Sequence, residues 1–387
     1  MIDLKLFRDR PSIFMVTSDY WNGIEYQRHH LARQFAKHGF PVIFIERSPH
    51  RWPKFGLKDI LEWTLKSGQG SSHIAKTIPK GINIIKPRFL PPARWLRPLN
   101  REIIKNELSK LHFKCKNLLN KTILITYVPS YNSIDLINLI KPCVVAYVNI
   151  HNYEEATVMP DLLRAEREVI RLSDVFFADS TFNIKRLARL SNRRNIFPSL
   201  PGVDYKHFHQ ANRENEDKQR KTIYYFGGIG PHLDFFLYDN LATKYSVIFV
   251  GVIDPVVRRK IPLNIEIRSP VANSELPEIL KDADILAIFY KDSPYIRGVI
   301  PAKFFECLAT GKPLLVSGLS EAKPYLDIVY DVQGSEKKAF EVIQTLPETE
   351  IPERLSKRDK IAKEADWTRR FESFVCNLDS AWRDGCT

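Results

Sequence analysis

The sequence predicts an α/β protein composed of two Rossmann-like domains that face each other across a cleft. Short apolar runs alternate with amphipathic stretches in two successive sets, a pattern typical of parallel sheets covered by helices. Around residues 197–221, two prolines and a glycine precede an almost wholly polar run, which indicates a domain boundary. The chain has 387 residues, 44% of them hydrophobic. That length allows two domains of roughly 150 to 200 residues each.

The first set begins with a βαβ unit. Ser12–Thr17 and Val42–Ile45 predict two buried strands. Between them a helix is predicted from about Glu25 to His38, with Gly39 as its stop. Further elements are predicted at Thr122–Tyr127, Val144–Ile150, Pro160–Leu172 and Val175–Ala178, and from Thr181. Parallel sheets bind ligands beyond the carboxyl ends of their strands, so we expect functional residues at that edge.

Residues 50–120 are predicted to be an insertion or lid, since six prolines interrupt them before a basic helix near Arg101–Leu119. The segment from Arg47 to Lys121 holds 17 lysines and arginines against four acids, which accounts for the whole net charge of +13. Because aromatic residues lie among these cations, we expect the segment to meet an anionic membrane surface. The alternative is a solvated basic face. Nucleic acid is not expected, because no RNA- or DNA-binding module accompanies the charge.

The second set of elements follows the polar boundary. Strands are predicted at Thr222–Phe226, Val247–Val250, Ile265–Arg268, Ile285–Phe289 and Pro313–Val316, and helices near 232–244, at Glu275–Lys281 and at Ala302–Ala309. The last stretch, Trp367–Trp382, predicts an amphipathic helix that crosses back onto the first domain. The predicted domains are therefore 1–200 and 201–365, with the closing helix in 366–387.

The five cysteines are scattered without close pairs, as in a protein of a reducing cytoplasm. The amino terminus carries charges ahead of only a short apolar run, so we expect no signal peptide. Every apolar run ends before the ~18 residues that span a bilayer. The sequence therefore predicts a cytoplasmic protein that associates peripherally with the inner face of the cytoplasmic membrane.

The segment Asp292–Val316 carries the most informative motif. Pro301 is suited to the first turn of a helix, and Gly298 lets the preceding backbone approach a ligand. The start of this helix presents free amides and a positive dipole end, as a diphosphate site requires. Lys303 can neutralise a departing nucleotide diphosphate, and Glu306, on the same face, can accept hydrogen bonds from two ribose hydroxyls. Alone, this spacing also fits a surface ion pair on an ordinary helix.

The surrounding strings make the motif more specific. PAKFFECLATGKPLLVSGLSE resembles the donor-site stretch of retaining, family-four-like glycosyltransferases with the GT-B fold. PSLPGVDYKHF is similar to their domain junction, and YYFGGIGPHLDFFLYDNLA to the start of their second domain. HHLARQFAKHGFPVIFIE and LSDVFFADSTFNIKRL resemble parts of their first domain. Bacterial surface-polysaccharide transferases, including the teichuronic-acid type, are the most similar members, and the resemblance covers most of the chain except about 50–120.

The resemblance implies roles for residues of the second domain. Lys303 matches the family's diphosphate lysine, and Glu306 matches its ribose-binding carboxylate. Gly227 and Gly228 match the glycine-rich turn that meets the diphosphate, and Ser269–Val271 matches the turn that holds the nucleobase.

One position departs from the family pattern. Many members have a glutamate near the donor sugar seven residues before the ribose-binding one, where this chain has Val299. Asp292 or Arg297 is the expected substitute, with Arg297 and Pro301 counted among the donor-binding residues.

In the first domain, His151 follows a predicted strand and is expected at its carboxyl end. It resembles the family residue that touches the donor sugar, or it could act as a base near neutral pH, and a plain loop histidine is the alternative. Four polar residues on the first βα loop and helix start, Asp19, Asn22, Glu25 and Arg28, lie where an acceptor would approach, although each could simply be solvated.

No metal ion and no cofactor are expected. Asp282 and Asp284 spell the Asp-x-Asp motif of many metal-dependent glycosyltransferases, but they fall between a predicted helix and a buried strand, where charges commonly close a helix. Lys303 and the helix dipole could stabilise the leaving diphosphate instead.

The sequence thus predicts a glycosyltransferase of bacterial surface-polysaccharide synthesis, retaining and metal-independent. It would move a sugar from a UDP- or GDP-sugar to a glycan or lipid-linked acceptor. Two alternatives remain open, a nucleotide-sugar epimerase on paired Rossmann domains and a non-catalytic binding module.

Overall fold

The computed structural model describes residues 4–23, 25–49, 77–114, 121–154, 160–193, 195–212, 221–294 and 296–385. The chain forms two compact units, Met1–Ser199 with Phe371–Thr387, and Leu200–Arg370. We call them the first and the second unit. Each contains one parallel sheet with helices between its strands. The predicted fold class, a two-domain α/β protein with Rossmann-like sheets, is confirmed.

In the first unit, the described residues form one seven-stranded parallel sheet in the order β3-β2-β1-β4-β5-β6-β7. Its strands are β1 (Ser12–Val16), β2 (Val42–Ile45), β3 (Ile82–Ile85), β4 (Thr122–Thr126), β5 (Val144–Asn149), β6 (Val175–Ala178) and β7 (Ile196–Pro198). Ile13 pairs with Val42 of β2 on one side and with Ile123 of β4 on the other. The strand order therefore reverses between β1 and β4, which makes that point the ligand-binding edge expected of such a sheet.

Helices cover both faces of this sheet. They are α1 (Lys5–Asp9), α2 (Gln27–Lys37), α3 (Arg97–Lys114), α4 (Tyr131–Ile140), α5 (Pro160–Leu172) and α6 (Thr181–Ser191). The Ser130 and Ser180 side chains cap α4 and α6 by accepting hydrogen bonds from amides in the first turn.

The described part of the predicted insertion, residues 77–114, belongs to the body of the first unit, so the expectation of an irregular lid is wrong for it. β3 pairs with β2 at the edge of the sheet. Ile104 and Leu111 of α3 are buried in a cluster with Phe14 and Ile85. The prolines around these elements suggest loops, but strand pairing and apolar burial override that local preference. Residues 50–76 lie outside the described part of the chain.

In the second unit, the described residues form one six-stranded parallel sheet in the order β10-β9-β8-β11-β12-β13. Its strands are β8 (Thr222–Phe226), β9 (Ser246–Val250), β10 (Glu266–Arg268), β11 (Ile285–Phe289), β12 (Leu314–Ser317) and β13 (Tyr330–Asp331). Its helices are α7 (Tyr205–His209), α8 (Phe235–Ala242), α9 (Leu276–Leu280), α10 (Ala302–Ala309), α11 (Glu336–Thr349) and α12 (Pro352–Glu364). The strand order reverses between β8 and β11.

The closing helix α13 (Trp367–Gly385) packs on the first unit. Phe371 meets Phe35 of α2 edge to face, with ring centroids 5.0 Å apart. The buried Asp379 accepts a hydrogen bond of 2.7 Å from the Leu6 amide, and Trp382 donates through its indole to Asp9. A mainly apolar helix face with two buried polar links therefore fixes the end of the chain.

Candidate functional site

The predicted donor-binding residues gather at the point where the second sheet reverses. β8 ends at Phe226 and leads into Gly227 and Gly228, and β11 leads through Tyr290 toward α10. Because β8 and β11 are neighbours in a parallel sheet, these two loops lie side by side at the carboxyl edge. This is the edge where open α/β sheets bind nucleotides.

Lys303 extends from the first turn of α10 to the strand β8. Its ammonium donates a hydrogen bond of 2.6 Å to the Tyr225 hydroxyl and lies 4.1 Å from the centre of the Tyr225 ring. A Cβ atom at Gly227 would lie only 2.4 Å from the Lys303 amine. Gly227 has φ of +112°, a region that other residues rarely adopt. A side chain at 227 would therefore strain the backbone and displace the Lys303 amine.

The glycine turn has one packed side and one open side. On the packed side, the Gly227 amide donates to Val250 and the Ile229 amide donates to Val252, which ties the turn to the end of β9. A Cβ at Gly251 would come within 1.9 Å of the Gly227 carbonyl oxygen. Gly228 is exposed, and a Cβ placed there would meet no atom within 4 Å. The turn can therefore receive a ligand next to Gly228.

Lys303 and Glu306 both have pKa values near neutral pH. Burial lowers the pKa of Lys303 to about 8, although the neighbouring Cys307 and Glu306 partly oppose this. Burial likewise raises the pKa of Glu306 to about 7, against the influence of Lys303. Burial disfavours the charged form of each group, and an anion bound beside the lysine would favour its ammonium form.

His232 also belongs to this site, although the sequence analysis did not single it out. Its ring meets Tyr290 edge to face at 4.8 Å, and a Cβ at Gly230 would lie 3.1 Å from it. Burial, and then the charge of Lys303, lower the pKa of His232 to about 4. The imidazole is therefore neutral at physiological pH. Its position in the string GGIGPHLD is the only sequence feature that could have indicated it.

The other donor-side predictions occupy varied positions. Pro301 is the residue before α10 rather than part of its first turn, and its carbonyl accepts from the Phe304 amide. Arg297 is exposed and lies 3.7 Å from Asp292 in an ion pair. Val271 is partly buried against the core of the second unit. Their roles toward a donor stay predictions.

At the carboxyl edge of the first sheet, Asp19 and Arg28 form a largely buried ion pair. The Arg28 guanidinium lies 4.4 Å from the ring centre of Tyr26 and 5.8 Å from that of Tyr127, the residue after β4. The pair therefore occupies the point where this sheet reverses.

The other two predicted acceptor-side residues are placed differently. Glu25 accepts two hydrogen bonds from Arg33 of α2 in an exposed ion pair. Asn22 is half-buried in the loop between β1 and α2.

His151 begins the loop after β5. Its amide donates to the Asn149 side chain at 3.1 Å, and its ring meets the Tyr153 ring edge to face at 5.8 Å. Tyr153 in turn donates to the Tyr127 carbonyl. The histidine is half-buried and lies on the carboxyl side of the sheet, as predicted from its place after a strand.

The Asp-x-Asp string lies at the opposite end of the second sheet. The Asp284 carboxylate accepts from the amide of Thr222, the first residue of β8, and Asp282 accepts from the Thr222 hydroxyl through its carbonyl. Both aspartates thus precede β11 at the amino edge, away from Lys303. Among the described residues, no group of three or more histidine, cysteine or acidic side chains could hold a metal ion.

Comparison with solved structures shows the architecture to which this site belongs. A glycosyltransferase from Rickettsia africae superimposes with a TM-score of 0.67 and 12% identity, covering 98% of this chain and 99% of that one. HepE of Anabaena, solved in complex with UDP, gives 0.66 and 13%, covering 96% and 100%. The chain has the GT-B fold of glycosyltransferases.

A more specific similarity links the chain to TuaH of Bacillus subtilis, a glycosyltransferase provisionally assigned to teichuronic acid biosynthesis. The two are 28% identical over 231 residues, which are 54% of this chain and 58% of TuaH. The chain thus matches little more than half of that relative. No protein-family model matches it.

Proposed function

We propose that the protein is a glycosyltransferase that transfers a sugar from a nucleotide-diphosphate sugar to a hydroxyl of a glycan or lipid-linked acceptor. The single observation that carries the proposal is Lys303. Within the described part of the chain, this enclosed cation has no ion pair with a carboxylate, and it lies between a glycine turn and the start of a helix. A partly buried cation that is hydrogen-bonded to a neutral hydroxyl fits an anionic ligand, and the diphosphate of a nucleotide has the required charge.

The residues suggest a division of work during transfer. The bond between the sugar's anomeric carbon and the diphosphate oxygen breaks, with its electron pair leaving on the diphosphate, while the acceptor oxygen bonds to that carbon and passes its proton to the departing diphosphate oxygen. Lys303 and the first amides of α10 stabilise the charge that develops on the leaving diphosphate. Glu306 accepts hydrogen bonds from the ribose hydroxyls. His151 faces the donor sugar, and the Asp19–Arg28 edge of the first unit takes the acceptor.

Retention of the anomeric configuration and independence from metal ions are part of the proposal. Support for the latter is the lysine and the helix start, which can supply the positive charge that Mg²⁺ supplies elsewhere. Transfer should continue in excess EDTA, and analysis of the product anomer by NMR should show the donor's configuration. Activity that EDTA abolishes and Mg²⁺ restores would contradict metal independence.

The decisive experiment is a screen of UDP, GDP and ADP for thermal stabilisation, followed by product analysis. A nucleotide at 100 times its Kd should add about 2.7 kcal/mol to the free energy of unfolding. Acceptor-dependent release of the nucleotide supports transfer, whereas formation of an epimer from donor alone supports an epimerase. Absence of stabilisation by all three nucleotides would overturn the proposed function.

We further propose that the protein carries out this transfer at an anionic membrane surface, in bacterial surface-polysaccharide synthesis. α3 supports this proposal. Its inner face is buried, while Leu99 and Phe113 of this helix are 56% and 87% exposed, and Trp95, in the turn just before it, is 73% exposed. Arg94 and Arg101 flank these side chains and are exposed. Exposed apolar side chains next to cations are typical of segments that lie on anionic membranes. No helix of the described residues is long and apolar enough to cross a membrane.

Arg97 requires separate treatment, because it forms a hydrogen-bonded ion pair with the buried Asp135 at 2.9 Å. Its replacement would disturb α4 as well as the surface. The suitable variant is therefore Arg94→Ser with Arg101→Ser, and we expect it to release the protein from vesicles of acidic phospholipid. The matched control is Arg258→Ser with Arg259→Ser, an exposed pair in the second unit. Equal release by both variants would show that vesicle binding depends on the overall positive charge of the protein and not on α3.

A further inference from the structure

We propose that Tyr225 is a positioning residue that holds the Lys303 amine against the glycine turn, a role that rests on the proposed function of this site. Tyr225 lies in β8, one residue before the strand ends, and its side chain is buried. It lies in the string YYFGGIG, of which only Gly227 and Gly228 were predicted to meet the donor.

The Tyr225 hydroxyl joins the two halves of the site. It accepts a hydrogen bond of 2.6 Å from the Lys303 ammonium and donates one of 2.7 Å to the Gly228 carbonyl. One oxygen therefore connects the helix that carries the cation with the turn that faces the ligand. The aromatic ring adds a second contact, since the amine lies 4.1 Å from its centre.

The chemistry of a tyrosine suits this position. Burial raises the pKa of the Tyr225 hydroxyl, so it stays neutral and can accept and donate at the same time. A carboxylate here would neutralise Lys303 and compete with an anionic ligand. An apolar side chain would leave the enclosed ammonium without a partner. The hydroxyl thus fixes the lysine while leaving its charge available.

Titratable groups face Lys303 from each surrounding element. Tyr225 comes from β8, His232 from the glycine-rich loop, and Glu306 and Cys307 from α10 itself. Tyr290, which follows β11, faces Tyr225. Of these groups, Tyr225 makes the hydrogen bond to the amine. Removal of its hydroxyl should therefore favour the uncharged amine.

The test is an NMR titration of Lys303 in protein labelled with ¹³C-lysine, with the resonance assigned by its loss in Lys303→Arg. In the wild type we expect a transition near pH 8. Tyr225→Phe, which keeps the ring, should lower that midpoint by about one pH unit, because a hydrogen bond to a charged group is lost. The titration needs no nucleotide, so it can be decided even if the proposed function fails.

The matched control is Tyr238→Phe. Tyr238 is a buried tyrosine of the same unit whose hydroxyl bonds the Ala287 carbonyl and the Phe289 amide instead of Lys303. It should leave the Lys303 midpoint unchanged. Equal midpoints in Tyr225→Phe and the wild type would overturn the inference. Should Tyr225→Phe fail to fold, a wild-type transition above about pH 10, as for a solvated lysine, would overturn it as well.

A second measurement links the position to ligand binding. At pH 7.5, Tyr225→Phe should weaken UDP binding about threefold to tenfold, because the lysine is less charged and less fixed. The difference in UDP affinity between Tyr225→Phe and the wild type at the same pH should shrink as the pH is lowered, because the charge of Lys303 is then restored in the variant. An undiminished UDP affinity in Tyr225→Phe would contradict a positioning role, whereas failure of the wild type to bind any nucleotide would contradict the proposed function.

Discussion

The two units carry a cation at corresponding places, where each parallel sheet reverses its strand order, but they treat its charge differently. In the first unit, Arg28 is matched by the Asp19 carboxylate. In the second unit, Lys303 has the neutral hydroxyl of Tyr225 as its hydrogen-bond partner. The arginine therefore has a direct ion pair with a carboxylate, whereas the lysine is bonded to a neutral group and Glu306 acts on it only through its charge.

This contrast suggests what each edge binds. A direct ion pair has little net attraction for an anion but can exchange hydrogen bonds with sugar hydroxyls. A lysine bonded to a neutral group beside a helix start attracts an anion. The same fold position can thus serve a neutral acceptor in one unit and a diphosphate in the other, depending on one counter-ion.

The largest effect on the anion site of the second unit is expected from Gly227→Ala. The new methyl would come within 2.4 Å of the Lys303 amine and displace it from the turn, and the alanine would also be strained at φ of +112°. We expect UDP affinity, measured by calorimetry, to fall by about a hundredfold through loss of a charge-assisted contact.

Gly334→Ala is the control for this variant. Gly334 also has positive φ, +71°, but a methyl there meets nothing within 4 Å. It should lower stability by about 1 kcal/mol through backbone strain and leave UDP affinity intact. If both glycine variants bind UDP like the wild type, Lys303 is not the anion ligand.

The next effect concerns pH. Lys303 is charged below a pKa of about 8, and Glu306 is ionised above a pKa of about 7. UDP affinity should therefore be greatest between about pH 7 and 8. Above that window it should fall as the ammonium is lost, and below it as the Glu306 carboxylate, proposed to bind the ribose, is protonated. Glu306→Gln should remove the Glu306 contribution to the acidic limb and move the alkaline limb to lower pH, because the carboxylate raises the pKa of Lys303. A flat profile from pH 6 to 9.5 would argue against both assignments.

The next variant tests the ion pair of the first unit. Asp19→Asn should leave Arg28 charged without its partner and lower the free energy of unfolding by up to about 3 kcal/mol, as for breaking a buried pair. Denaturant titration would measure it, and UDP affinity should not change, because the nucleotide is assigned to the other unit.

The smallest effect is expected from Glu25→Gln, which interrupts the exposed pair with Arg33 and should cost less than about 1 kcal/mol. An equal loss of stability in Asp19→Asn and Glu25→Gln would show that the Asp19–Arg28 pair contributes no more to stability than a surface pair.

Most of the fold could be predicted from the sequence, because buried parallel strands are continuous apolar runs such as VVAYVN and ILAIF. The elements that were missed have weaker patterns. β3 lies in a proline-rich stretch, β7 is only three residues long, and α4 begins with Tyr131, Asn132 and Ser133, which do not favour helix. These elements depend on pairing and burial supplied by the rest of the unit.

Part of the candidate site could likewise be predicted from the sequence, and part could not. Lys303 and Glu306 lie in one contiguous motif on one helix, so their neighbourhood could be inferred from spacing. Tyr225 and His232 lie far from Lys303 in sequence. They come close to it only because β8 and the loop after it pack against α10. Likewise, only the folded loop shows that Asp19 pairs with Arg28 whereas Glu25 turns to Arg33.

The most direct test of the central claim is the UDP affinity of Lys303→Ala, measured by calorimetry at pH 7.5 beside Lys323→Ala, an exposed lysine of the same unit. Loss of a hydrogen bond to a charged group predicts that Lys303→Ala binds UDP about 10 to 100 times more weakly, while Lys323→Ala binds like the wild type. Wild-type affinity in Lys303→Ala would contradict the account.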